Sequence, residues 1–169
     1  MKITYEPLSV KMEAWFNSHY PNFQWRLKDA EDFKKMPEIF KSYISTIYLE
    51  AQLCNGGLAQ FLWNTFYLWE AVLNACEDGY LKMKAIPQVT AIHTFRLKIL
   101  QNINVCESYI MREVHKKDMG AFTEWCMVAG ESMSLPEEDL FFHDMGEEVD
   151  CLREKWIVSV ADHILSITK

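Results

Sequence analysis

The chain has 169 residues, 17 Lys and Arg against 24 Asp and Glu, and a net charge of −7. It is 50% hydrophobic and 14% aromatic, which excludes a disordered chain and suits one domain with a sizeable core. Its acidity argues against direct nucleic-acid binding, which needs clustered Lys and Arg, and favours a basic partner.

Met1 to Val10 carries no apolar run behind a basic start, so no secretory signal is expected. Phe23, Trp25 and Leu27 alternate, but three positions do not establish a strand. Pro37 fits the first turn of a helix, where its missing N–H costs nothing. The stripe Phe40, Tyr43, Ile44, Ile47, Ala51 and Cys54 continues that helix, and Asn55-Gly56-Gly57 ends it. A second stripe runs through Leu58, Phe61, Leu62, Thr65, Trp69, Val72, Leu73 and Cys76, closed by Gly79. Its reverse face carries Gln60, Trp63, Asn64, Tyr67 and Ala71, so 58–78 is predicted to be a central apolar helix. Nineteen residues from Ala51 to Trp69 lack charge, close to spanning length. The amides Gln52, Asn55, Gln60 and Asn64 inside that run point to a buried helix and to no membrane partner.

Further helices are predicted over 86–102, 105–116 and 118–130. Ser134-Leu135-Pro136-Glu137 reads as a helix start, with Ser134 capping and Glu137 reaching back. Val149, Leu152, Trp156, Val160, Ile164 and Ile167 then share one face of the final helix. The sum is an all-α fold: a single-domain helical bundle over 1–169, with a central apolar helix and a long acidic C-terminal helix in the segment 131–169.

That segment holds the charge surplus. Glu131, Glu137, Glu138, Asp139, Asp144, Glu147, Glu148, Asp150 and Glu154 are opposed only by Arg153 and Lys155. A continuous helix over 137–154 would span roughly 25 Å. Duplex DNA carries about 15 phosphates over that length, roughly half of them on one face. The candidate partner-binding residues, placed where phosphates would lie, are therefore Glu137, Glu138, Asp139, Asp144, Glu147, Glu148, Asp150 and Glu154. For Glu137, Glu138 and Asp139 a first helical turn also explains the charge structurally.

Other chemistry is sparse. Five scattered cysteines without a C-x-x-C pair are expected to be buried free thiols in a reducing cytoplasm. His143 and Glu147 have the spacing of two ligands on a helix, with Asp144 nearby, but no third and fourth ligand converge, so no metal or cofactor is expected. No nucleophile elbow, phosphate loop or dinucleotide fingerprint is present, so no enzymatic activity is expected. Glu50, with Gln60 and Asn64, is the candidate for a ligand or enzymatic pocket lined by Trp63 and Tyr67.

The stretch from Tyr48 to Asn64 combines Glu50, Asn55-Gly56-Gly57, Gln60, the aromatic Phe61 and Asn64. This pattern resembles an uncharacterised bacterial helical domain family that includes a dimeric DNA mimic blocking a helix-turn-helix transcription factor. The likeness covers residues ~37 to 130. It implies an all-helical homodimer whose carboxylates occupy the DNA-reading face of a basic regulator. The motif Glu50, Asn55, Gly56, Gly57, Gln60 and Asn64 marks the fold, while the acidic positions come from the charge pattern of this sequence. An immunity- or antitoxin-type inhibitor of a basic nuclease is the alternative reading of the same acidic face.

Overall fold

The computed structural model describes residues 7–25, 29–116, 119–141 and 144–168, without the side chains of 110–116, 119, 122, 126, 131 and 144–147. Every regular element among them is helical: α1 (Leu8–His19), α2 (Ala30–Lys35), α3 (Glu38–Thr65), α4 (Trp69–Met83), α5 (Ile86–Lys116), α6 (Met119–Met133), a 3₁₀ helix (Pro136–Phe141), α7 (Asp144–Ser159) and α8 (Ala161–Ile167). None of them is long and apolar enough to cross a membrane.

Pro37 caps α3 from one residue ahead of its first turn rather than lying within it, and Asn55-Gly56-Gly57 interrupts the helix without ending it. Gly56 is extended at φ −173° and Gly57 sits at φ 68°, ψ −167°, so the axis kinks and resumes at Leu58. The predicted helix over 58–78 is divided. The Thr65 hydroxyl donates to the Phe61 carbonyl at 2.6 Å, a bond that bends helices, and the chain turns over 66–68 before α4. α4 then folds back along the first half of α3. Gly79 does not close it but lies inside it, where a Cβ would stand 2.9 Å from Thr46 Cγ2 and 3.1 Å from the Ser42 carbonyl. A side chain there would force these two helices apart.

The helices expected over 86–102 and 105–116 form one, α5, because Asn102 stays in register and its amide donates to the Lys98 carbonyl at 2.9 Å. Ala91, Ile92, Phe95, Ile99 and Cys106 bury its inner face. α6 lies against α5 and α3, with Trp125 Nε1 donating to the Ala59 carbonyl at 3.2 Å just past the kink. Phe141 holds the 3₁₀ helix in place between Tyr80 and Phe95, at ring distances of 5.8 and 5.6 Å. Gln88 adds a hydrogen bond to the Leu140 carbonyl at 3.1 Å.

The N-terminal region is an aromatic cluster. Trp15 packs on Phe40 at 4.1 Å, and Trp25 stacks on Tyr48 at 4.0 Å with its backbone at φ 60°. Phe23 and Trp25 lie in the irregular link between α1 and α2 and not in a strand; Leu27 lies outside the described residues. Cys76 and Cys106 are buried free thiols, whereas Cys54 and Cys151 are free but exposed, which corrects the expectation of uniform burial.

Candidate functional site

The family-like motif is built around the kink in α3. Gly57 exposes the N–H groups that begin the second half of the helix, and Glu138 from the 3₁₀ helix accepts from Leu58 N–H and from Leu135 N–H at 3.0 Å. One carboxylate thus caps one helix start and closes its own turn. Burial pushes the Glu138 carboxyl up from its ordinary range, against the pull of the two backbone donors. The Gln60 side chain lies against Gly56, and Asn64 Nδ2 donates to Gln52 Oε1 at 2.6 Å across the kink. Asn64 thus ties the two halves of α3 together across the kink. Trp63 is buried, Tyr67 exposed, and neither shares a cavity lining with Glu50 in the cleft described below.

Glu50 points the other way. Its Oε1 accepts from the Tyr80 hydroxyl at 2.8 Å and from the Arg153 guanidinium of α7, whose other nitrogen meets Asp150. Arg153 is only 6% exposed. Burial raises the Glu50 carboxyl above its ordinary range, although Arg153 and the Tyr80 hydroxyl both pull it down. The charged pair sets the seating of α7 against α3 and α4.

The cluster floors a cleft of about 330 Å³ between α1, α3 and α7. Ile47 and Ile157 form its apolar wall, and Glu13, Asp150 and Glu154 stand with them. Tyr43 hydrogen-bonds Glu13, and its phenol is pushed up to about 12 by burial first and by the Glu13 charge second.

The acidic segment is not one helix. It divides into the 3₁₀ helix and α7, since Leu140 and Phe141 anchor in the core and redirect the chain. Ser134 is exposed, and the carboxylate that reaches back is Glu138 rather than Glu137. Glu138 is 7% exposed and faces inward, which corrects its expected place on the solvent side. Glu137 is half-buried with Oε2 enclosed, and Asp139 is exposed. In α7, Glu148, Asp150 and Glu154 are exposed while Val149, Trp156 and Ile157 are buried. At 100° per residue Asp150 and Glu154 flank one side of this inward stripe and Glu148 the other. Asp144 and Glu147 belong to α7, but their side chains lie outside the described ones, as does His143 altogether. Among the described residues no three of His, Cys, Asp and Glu converge as a metal site.

Arg153 was invisible as a site residue to sequence reasoning, which counted it only as a charge opposing the acids. The sole signal was a basic residue four positions after Val149, on the apolar face of its helix.

A family model described as DMP19-like protein matches residues 34–159. No curated protein and no solved structure matches the chain.

Proposed function

The chain belongs to the DMP19-like protein family, and on that premise we propose that it is a non-enzymatic DNA mimic. Its acidic surface binds the DNA-reading face of a basic regulator of the helix-turn-helix kind and keeps that regulator off DNA. It acts in the cytoplasm as a homodimer, without a cofactor, and touches neither nucleic acid nor membrane directly.

The observation that carries this reading is the exposure of Glu148, Asp150 and Glu154 along the two flanks of α7. Asp150 is anchored through Arg153, while Glu148 and Glu154 have no ion-pair partner among the described residues. Asp139 extends the acidic surface onto the 3₁₀ helix, and Asp144 and Glu147 add formal charge to α7. Glu138 is left out, because its carboxylate serves two backbone donors. Such a surface steers a basic partner and loses hold as salt rises.

Reversing Glu148 and Glu154 together to Lys is expected to weaken capture of the partner at least tenfold at low salt, about 1.4 kcal/mol, with helicity unchanged. Surface plasmon resonance with circular dichroism measures both. Unchanged capture at low salt would sink the reading. A captured nuclease in place of a DNA-binding regulator would support the inhibitor alternative instead.

A further inference from the structure

We propose that Asn55 is a site of self-modification, where its side-chain amide closes on the backbone nitrogen of Gly56 and becomes a carboxylate without any enzyme. The Gly56 nitrogen attacks Asn55 Cγ and gives up its proton. The Cγ–Nδ2 bond breaks, and Nδ2 leaves with that proton as ammonia. Water then opens the cyclic imide at one of its two carbonyls, giving aspartate or isoaspartate. No oxidant or reductant enters, and the chemistry is independent of what the acidic face binds.

The first requirement is an open approach to the attacking nitrogen, and glycine has no side chain to crowd it. Of the seven asparagines only Asn55 precedes a glycine. The second is solvent and a free amide. Asn55 and Gly56 are exposed, and the Asn55 side chain has no hydrogen-bond partner among the described residues, whereas Gln52 and Asn64 hold each other. The third is backbone freedom. Inside an unbroken helix the nitrogen is held in the i→i−4 ladder, away from the preceding side chain. Here Gly56 and Gly57 both leave helical geometry, so Asn55 ends the first half of α3. A helix end frays readily, and turning the Asn55 ψ then brings the Gly56 nitrogen to its own Cγ.

Asp78-Gly79 has the atoms to close the same ring and supplies the contrast. Gly79 is buried inside α4 against Ser42 and Thr46, and Asp78 is held by the Ser42 hydroxyl and by Lys82. The same dipeptide chemistry is open at the kink and closed within α4. Its product at position 55 puts a negative charge at the C-terminal end of a helical segment, where the dipole disfavours it. Isoaspartate also lengthens the main chain by one carbon, just ahead of the turn that presents the Leu58 N–H to Glu138.

The test holds the full chain at mildly alkaline pH and physiological temperature, folded or in urea. Digested peptides are then sequenced by mass spectrometry with electron-transfer fragmentation, which separates aspartate from isoaspartate. Asn55 is expected to convert in the folded chain within about tenfold of its rate in urea. Asn104, also exposed but followed by Val105, should stay an amide, and Asp78 should form isoaspartate only in urea. Gly56→Ala should slow the conversion at least about tenfold. Its extended backbone at φ −173° accepts any residue, and the added Cβ meets only the flexible Gln60 side chain. Asn55→Gln, which would need a larger ring, should keep its amide. An Asn55 that converts only in urea or not at all, or an unchanged rate in Gly56→Ala, would overturn the proposal.

Discussion

Arg153→Met is expected to destabilise the protein by about 3–5 kcal/mol at neutral pH, because it strands a buried carboxylate. Glu50 would keep the Tyr80 hydroxyl and lose both its ion pair and its strongest donor. The loss should depend on pH, with a sign that follows from Glu50 itself. Burial already holds its carboxyl above the ordinary range, and Arg153 opposes that rise. Without Arg153 the folded-state value climbs further above the unfolded value of about 4.3. For an acid shifted upward, stability is full below the unfolded value and is lost as pH rises through the folded one. The deficit relative to the unaltered chain should therefore shrink between pH 7 and about pH 4.5. Urea midpoints at several pH values measure it. Pairing Arg153→Met with Glu50→Leu should recover most of the loss, since an apolar pair can replace a buried ion pair.

Gly57→Ala is expected to cost about 3 kcal/mol or more. Backbone at φ 68°, ψ −167° is open essentially to glycine alone, and other residues lose about 1–3 kcal/mol there. The added Cβ would also stand 2.6 Å from Glu138 Oε2. Displacing that carboxylate leaves the Leu58 and Leu135 N–H groups short of an acceptor, worth about 1–3 kcal/mol more. Thermal unfolding should show a Tm lower by roughly 6–12 °C. Gly130→Ala is the matched control, because nothing lies within 4 Å of its Cβ and a helical alanine stabilises by about 0.5–1 kcal/mol.

These two sites show what the sequence made legible. The all-helical class followed from stripes spaced three and four apart, and residues such as Phe40, Phe61, Val72, Phe95 and Ile164 are buried where those stripes placed them. The Asn-Gly-Gly break was legible from backbone preference. Its consequence was not, because the Gly57 kink is completed by a carboxylate 81 positions away at Glu138, and no local pattern encodes that meeting. The same distance hid the Glu50–Arg153 pair, 103 positions apart. Helix ends misled wherever a single side chain overrode the pattern, as Thr65 did by bending the chain and Asn102 by staying helical. The charge surplus over 131–155 was visible as a sum, but its distribution depended on how the 3₁₀ helix and α7 turned. Glu138 went inward to the backbone, Asp150 became the outer partner of a buried guanidinium, and Glu148 and Glu154 remained free for solvent.

α1 went unpredicted for a related reason. Met12, Trp15 and Phe16 sit three and four apart, yet of these only Met12 is buried, while Trp15 packs on Phe40 of α3 and Phe16 on Phe23 beyond the helix. Tertiary contact, not amphipathic contrast, fixes that helix.

The most direct test of the proposed function is DNA displacement. The full chain is added to a complex of its captured regulator with that regulator's DNA site, and released duplex is followed by fluorescence anisotropy. The account predicts dose-dependent release at low salt that fades as salt rises, and none with Glu148 and Glu154 reversed to Lys. A regulator that stays on its DNA while the chain is bound, or release that ignores the charge reversal, would contradict it.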